Sequence, residues 1–321
     1  MGIRIVKAGM LTTIQDLGRY RLQRYGMPVS GAMDSYALRL GNSILGNADN
    51  EAAIECTLLG PTIYFEKEQL ICLTGADLSP RIGGQPVPMW KPVCVTAGSL
   101  LSFGRANLGC RTYICFQGGL EVPELLGSRS TYSKGHMGGW QGRQLQEGDK
   151  IAFRRCYQGE QAVFHWSMDL SIYPKLGKLG TEVIRVIEGP QFASFESAAQ
   201  KRFFSDVFMI SNDSDRMGYR LLSAPLYLRQ PKELLSTAVT FGSIQVPPDG
   251  NPIILMAEHP TTGGYPVIAQ VATIDLPLLA QKGPNDPIRF ERISMDQAQV
   301  LLKEQQTQLN RLKRAIALKY E

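Results

Sequence analysis

Histidine is scarce in this chain: 321 residues hold only His136, His165 and His259, isolated from one another and from any cysteine pair. The six cysteines (Cys56, Cys72, Cys94, Cys110, Cys115 and Cys156) show no CxxC spacing. A zinc site of four cysteines, or of mixed cysteine and histidine, has no ligand set here, so no metal is expected. Most of the cysteines lie in apolar runs, as in Leu70-Ile-Cys-Leu73, and read as reduced and buried. No stretch approaches the ~18 consecutive apolar residues of a membrane-spanning helix. The opening Met1-Gly-Ile-Arg-Ile-Val-Lys7 has neither a long apolar run nor a cleavage signature. No signal peptide is therefore expected, and the chain is read as cytoplasmic. No basic stripe with interleaved aromatics is present, so neither a nucleic acid nor a membrane is an expected partner. The net charge is a mild +5. Part of it lies in residues 296–321, where five Lys/Arg face three Asp/Glu, the pattern of a solvated helix face. Strand–helix alternation is also missing, which argues against a doubly wound parallel sheet.

Turn formers are plentiful, with 32 glycines and 19 prolines. They separate short runs with strand character: 53–59, 62–65, 69–74, 92–96, 99–103, 112–116 and 145–153, then 182–187, 207–210, 252–256 and 267–271. Regular short strands between turn signals predict a mainly β chain, an antiparallel barrel or sandwich. A helix is expected from Asp34, its cap, to Leu45, with Ala37, Leu40, Gly41 and Ile44 on one face. A short amphipathic helix is expected over 192–203 and a helical turn over 276–281. A final helix runs from Ser294 to about Lys319, opened by the capping box Ser294-Met-Asp-Gln297. Its apolar stripe is Leu301, Leu309, Leu312 and Ile316. The looser stretch 157–180 divides the chain into domains 1–170 and 180–321, the second ending in that helix.

Two stretches carry chemistry. Leu11-Thr-Thr-Ile-Gln-Asp-Leu-Gly-Arg-Tyr20, continuing through Tyr25 to Asp34, packs polar groups among three glycines and a proline. It reads as a tight turn holding polar side chains at the edge of a core, either a binding loop or a set of self-satisfying Asx and Ser/Thr turns. Asp215-Arg-Met-Gly-Tyr-Arg-Leu221 repeats Asp, Tyr, Arg and Leu of Asp16-Leu-Gly-Arg-Tyr-Arg-Leu22. Each copy precedes a polar loop rich in Gly and Pro, which suggests two related barrels, each bringing one polar loop to a shared cleft. A structural ion pair tying turn to barrel is the competing reading of each Asp–Arg segment. The glycine-dense Gly135-His-Met-Gly-Gly-Trp-Gln-Gly-Arg143 lacks the Lys-Ser/Thr ending of a P-loop, and reads as a loop beside a site shaped by Ser128, Arg129 and Thr131.

Six segments together resemble the biotin-dependent carboxyltransferase-like family. They are Thr12-Thr-Ile-Gln-Asp-Leu-Gly-Arg19, Gly26-Met-Pro-Val-Ser-Gly-Ala-Met-Asp34, Gly127-Ser-Arg-Ser-Thr131, Asp215 to Leu221, Gly242-Ser-Ile-Gln-Val-Pro247 and Thr261-Thr-Gly-Gly-Tyr-Pro266. The resemblance covers nearly the whole chain in the family's order. It implies two cyclophilin-like β-barrel domains packed side by side, with a few short helices and a C-terminal helix. It also implies a subunit of an ATP-dependent 5-oxoprolinase that hydrolyses 5-oxo-L-proline to L-glutamate, partnered by A and B subunits, the B subunit resembling the Kip kinase inhibitor. ATP would bind at a partner or an interface. In that setting Asp16 or Asp215 would act as base, and Gln15, Arg19, Arg216, Gln245, Thr262 and Tyr265 would line the substrate cleft. Two other readings stay open: a carboxyltransferase taking biotin from a separate carrier to a urea- or amide-like acceptor, and a regulatory protein binding the B-like subunit. One departure stands out. Arg21 occupies a position where the family usually has glycine; a turn needing φ > 0 there would be strained by arginine, so either the loop takes another path or Arg21 puts a new cation near the site.

Overall fold

The computed structural model describes residues 2–159, 164–177, 180–230 and 233–320. Residues 178 and 179, at the end of the expected linker, lie outside the described residues. The chain forms two compact units. Unit 1 comprises Met1–Arg19, Ser30–Lys178 and Thr307–Glu321, and unit 2 comprises Tyr20–Val29 and Leu179–Gln306. The α-helices are α1 (Ser35–Ile44), α2 (Ser197–Ser205), α3 (Leu276–Ala280) and α4 (Met295–Tyr320). None of the described helices is long and apolar enough to cross a membrane.

Unit 1 is built on two antiparallel sheets. One has the order Lys150–Ala152, Gly2–Lys7, Thr62–Phe65, Leu100–Ser102, Arg81–Ile82, Gln85–Pro86. The other has the order Leu11–Gln15, Ala53–Thr57, Leu108–Phe116, Gln69–Asp77, Pro92–Val95. Alternation along each strand sends one set of side chains into a common core, Ile3, Ile5, Phe65 and Leu101 from the first and Ile14, Ile54, Leu73 and Ile114 from the second. The five-stranded sheet is buried on its other face too. There α1 lays Ala37, Leu40 and Ile44 against Leu70, Cys72, Tyr113 and Cys115, and Leu309 and Ile316 of α4 join the same cluster.

Unit 2 is a closed barrel of seven strands: Glu182–Glu188, Val267–Val271, Ser243–Gln245, Ile253–Leu255, Gly218–Leu222, Phe208–Ile210 and Pro287–Arg292. The first and last strands pair in parallel and close it, with Glu182 opposite Ile288. Phe203 of α2 stacks on Phe290, ring centroids 4.7 Å apart.

The mainly β class and the helices agree with the sequence reading. Asp34 caps α1 by accepting from the Ala37 amide at 2.8 Å. The capping box of α4 is reciprocal: the Ser294 amide donates to Gln297 Oε1 at 2.8 Å and the Gln297 amide to Ser294 Oγ at 3.1 Å. The opening stretch is different from its reading as a tight turn. Leu11–Gln15 is a fully paired strand, with Thr12, Thr13 and Gln15 all buried. Thr12 Oγ1 donates to the nearby Ala8 carbonyl, while the Gln15 amide reaches the distant Thr131 carbonyl, so the run mimics a polar loop although it is paired. Gly2–Lys7, Gly218–Leu222 and Ser243–Gln245 are further strands that the sequence reading left unassigned or placed in polar loops.

Candidate functional site

In unit 1, three segments meet at the end of strand Leu11–Gln15. The Asp16 carboxylate is fully buried and accepts four hydrogen bonds: from the Gly18 amide at 2.7 Å, Ser128 Oγ at 2.7 Å, the Arg129 amide at 2.6 Å and Ser130 Oγ at 2.5 Å. Its main-chain carbonyl accepts from the Ala32 amide at 2.8 Å, drawing residues 30–34 alongside. Thr131 closes the junction, its Oγ1 donating to the Ile14 carbonyl at 3.0 Å. Asp16 is thus the latch joining strand to loop, with each carboxylate oxygen committed to donors. Arg19 is also fully buried and donates from Nη2 to the Ser130 carbonyl at 2.5 Å.

The glycine-dense segment packs on this latch. A Cβ at Gly138 would lie 2.1 Å from the Ser130 carbonyl oxygen and 2.6 Å from Arg19 Nη2, and one at Gly139 would lie 1.9 Å from Thr131 Oγ1. The Gly139 and Gly142 amides donate to the carbonyls of Arg129 and Gly138. Glycine is required there for close approach to protein, and those amides are spent on protein carbonyls. Those two amides are therefore not free to cradle a phosphate.

The register of the five-stranded sheet lines up a polar row on the face toward α1. Thr13 stands opposite Glu55, Glu55 opposite Tyr113, and Tyr113 opposite Thr74. Tyr113 donates to Glu55 Oε2 and accepts from the Asp34 amide, both at 2.7 Å, while the Met33 amide also reaches Glu55 Oε2 at 2.9 Å. Burial first, and the Glu55 charge second, push the Tyr113 phenol well above its ordinary pKa, so it remains a donor. Asp34 Oδ2 accepts from Tyr173 at 2.5 Å. This row fixes residues 33–34 on the sheet and, through them, the preceding Ser30–Gly31 turn. Gln15 lies on the same face, its Nε2 donating to Thr13 Oγ1 at 3.0 Å and to the Thr131 carbonyl at 3.2 Å. Sequence reasoning missed Glu55 and Tyr113. The available signal was an acidic residue inside the apolar run Ala53-Ile-Glu-Cys-Thr57.

In unit 2 the repeated motif keeps its local geometry. Asp215 Oδ1 accepts from the Met217 amide at 2.7 Å, as Asp16 does from Gly18, but Asp215 is exposed. Arg216 is buried and donates to Glu258 Oε1 at 2.7 Å, an ion pair whose side chains are 6% and 4% exposed. Glu258 is the second partner that the sequence did not reveal. His259 follows it, nearly enclosed, with Nδ1 2.6 Å from the Pro260 carbonyl, and burial lowers its pKa. Gln245 is buried and donates to the Tyr265 carbonyl at 3.2 Å, and Gly263 lies so close over it that a Cβ would fall 2.5 Å from Nε2. Thr262 and Tyr265 are exposed. Tyr265 borders a cavity of about 690 Å³ walled by Phe195, Leu226, Leu228, Val246 and Pro247, with Glu233 the charged group among its described lining residues. That volume suits a small molecule. The expected site residues thus form two groups. Gln15, Asp16, Arg19, Ser128, Arg129 and Thr131 gather in unit 1. Arg216, Gln245, Thr262, Tyr265 and Asp215 belong to unit 2.

Arg21 sits at φ 72° with its side chain exposed. The chain thus keeps the left-handed turn at this position and places arginine in it.

A family model described as carboxyltransferase domain, subdomain A and B, matches residues 25–292. The chain is 38% identical over 314 residues to the C subunit of the 5-oxoprolinase of Haemophilus influenzae, a match spanning 98% of each protein. It is 36% identical over 310 residues to the C subunit of the Escherichia coli 5-oxoprolinase, spanning 97% of each. Among solved structures, the crystal structure of the Kluyveromyces lactis urea carboxylase is similar at a TM-score of 0.90 and 31% identity, covering 97% of this chain and 29% of that one.

Proposed function

The chain belongs to the carboxyltransferase-domain family of subdomains A and B, and on that premise we propose that it is a subunit of an ATP-dependent 5-oxoprolinase. The observation that carries this reading is the end-to-end match in length with the C subunit of a 5-oxoprolinase, at 98% of both proteins. The same chain spans only 29% of the urea carboxylase it resembles in fold. As the C subunit of such an enzyme it acts with separate partners, an A and a B subunit, the latter like the Kip kinase inhibitor. Together they convert 5-oxo-L-proline to L-glutamate.

The ring amide is resonance-stabilised and resists water. Transfer of a phosphoryl group from ATP to its oxygen turns that oxygen into part of a leaving group and makes the ring carbon electrophilic. We place ATP on a partner subunit or at an interface with one, because the glycine-dense segment lacks the Lys-Ser/Thr ending of a P-loop and its Gly139 and Gly142 amides bond protein carbonyls. Within this chain, the Gln15–Arg19 cluster is the substrate-facing part, with the Arg19 guanidinium suited to a carboxylate. Asp16 positions that cluster through its latch. In unit 2, Arg216 with Glu258 sets the framework beneath the turn that bears Thr262 and Tyr265, and Asp215, being exposed, is the better placed of the two aspartates to accept a proton.

The test is ATP-dependent release of glutamate from 5-oxoproline by this chain with its A and B partners, each omitted in turn. Glutamate formed only with all three present is the expected result. The likeness to urea carboxylase favours one competing outcome: no glutamate, but carboxylation of a urea- or amide-like acceptor when a biotin carrier is supplied. A third outcome, co-purification with the B-like partner without turnover of either kind, would make the chain a regulatory binder.

A further inference from the structure

We propose that Gln15 is the residue that reads the N–H of the substrate's amide, so that the unit 1 cluster selects cyclic amides over isosteric rings lacking that hydrogen. This rests on the 5-oxoprolinase reading and deepens it. The argument begins with the orientation of one side-chain amide. Gln15 Nε2 lies 3.2 Å from the Thr131 carbonyl, which is an acceptor only. The NH2 end must therefore face Thr131, and the flip that would exchange nitrogen and oxygen is excluded. Gln15 Oε1 then points the other way as an acceptor. It is buried and has no hydrogen-bond partner among the described residues.

A buried acceptor without a donor is costly, and native structures keep few of them. A second such group stands on the neighbouring segment. Ser30 is 5% exposed and its Oγ likewise has no partner among the described residues. Ser30 sits at φ 57°, ahead of Gly31 at φ 87°, and a Cβ on Gly31 would press within 2.9 Å of the Gly18 nitrogen. The turn is thus held against residues 17–18, next to Gln15. Left-handed backbone at a serine is a form of strain that collects at ligand clamps and switch regions.

A lactam carries its N–H and C=O side by side on the same edge of the ring, because the amide inside a small ring is cis. An acceptor on one segment and a hydroxyl donor on the adjacent one match that edge: Gln15 Oε1 takes the N–H, and Ser30 Oγ donates to the carbonyl oxygen. Gln15 Oε1 does not suit a phosphate or carboxylate, since it presents an acceptor oxygen. Loss of the N–H leaves the buried Oε1 unpaired, which is the condition under which discrimination becomes large.

The experiment uses the assembled complex of this chain with its A and B partners. KM is measured for 5-oxo-L-proline, and inhibition constants are measured for two analogues of the same ring, the lactone with oxygen in place of N–H and the N-methyl lactam. Wild type is expected to bind both analogues at least tenfold more weakly than 5-oxoproline. Gln15→Met is expected to raise KM for 5-oxoproline about tenfold or more and to leave the lactone constant unchanged, with Ser30→Ala weakening both. Equal binding of all three rings by wild type overturns the proposal without any variant. So does a Gln15→Met protein whose constants for substrate and lactone shift together, or one with only a lowered Tm, since either would mean the amide is structural. Absence of glutamate from the wild-type complex would instead overturn the 5-oxoprolinase reading, and this inference with it.

Discussion

At the scale of single residues, hydrogen-bond inventory separates frameworks from sites. Asp16 and Asp215 share a turn motif, yet one is enclosed by four donors and the other stands in solvent. Arg216 looked like a substrate cation in the sequence, and its guanidinium is paired with buried Glu258. Breaking such a pair on one side leaves an uncompensated charge, whereas replacing both partners with apolar groups is often neutral. Arg21 is the clearest strained position: an exposed arginine at φ 72°. The left-handed conformation costs an L-residue about 1–2 kcal/mol. Glycine relieves that cost and gives back about 0.4–1 kcal/mol in unfolded-chain entropy. Arg21→Gly is therefore expected to stabilise the fold by about 0.5–1 kcal/mol, read as a higher urea midpoint at constant slope. A lower midpoint would mean the arginine side chain makes contacts that outweigh its backbone strain.

At the scale of elements, local rules fixed helix starts and packing fixed what the helices cover. The α4 capping box and the Asp34 cap of α1 are contacts within four residues, so sequence spacing alone located them. Gly41 of α1 has a different cause. It looked like one member of an apolar stripe, but a Cβ there would lie 2.7 Å from Cys115 Sγ and 3.0 Å from Thr74 Oγ1. The glycine lets the helix approach the sheet. Alanine would gain about 1 kcal/mol of helix propensity and lose about 1–3 kcal/mol to overpacking in a core with no slack. Gly41→Ala is thus expected to destabilise by about 1 kcal/mol in equilibrium unfolding. In a Cys115→Ala background the same change should turn neutral or stabilising, because the nearest obstructing atom is gone. An unchanged cost in that background would place the clash at the Thr74 side chain instead.

At the scale of the molecule, chain order and compact units do not coincide. Thr307–Glu321 groups with unit 1 although almost all of unit 2 precedes it in sequence. Leu309 and Ile316 are buried in the cluster that joins α1 to the five-stranded sheet. Burial of each side chain contributes roughly 1.5–3 kcal/mol. A chain ending at Gln306 is therefore expected to lose on the order of 3–6 kcal/mol from unit 1. Hydrogen exchange should then rise at the α1 and Leu108–Phe116 amides, and a peptide of residues 307–321 added in trans should restore part of the protection. Unchanged protection in the truncated chain would mean that the cluster closes without α4.

What the sequence determined by itself is whatever short range decides. The alternation of apolar residues set the strands Thr62–Phe65 and Val267–Val271 to their observed ends, and caps set the helix starts. Six motifs in order set the family. The Asp16 and Asp215 turns were legible as a repeat because each aspartate bonds an amide two residues on. Tertiary structure alone decided what those polar groups do. Strand Leu11–Gln15 looked like a loop because the Gln15 amide and the adjoining Asp16 carboxylate find partners more than 100 residues away, at Ser128 to Thr131. Glu55 with Tyr113, and Arg216 with Glu258, meet only across paired strands or a closed barrel. A buried polar side chain must be satisfied, but sequence spacing does not say by which residue, and that choice separates a latch from a site.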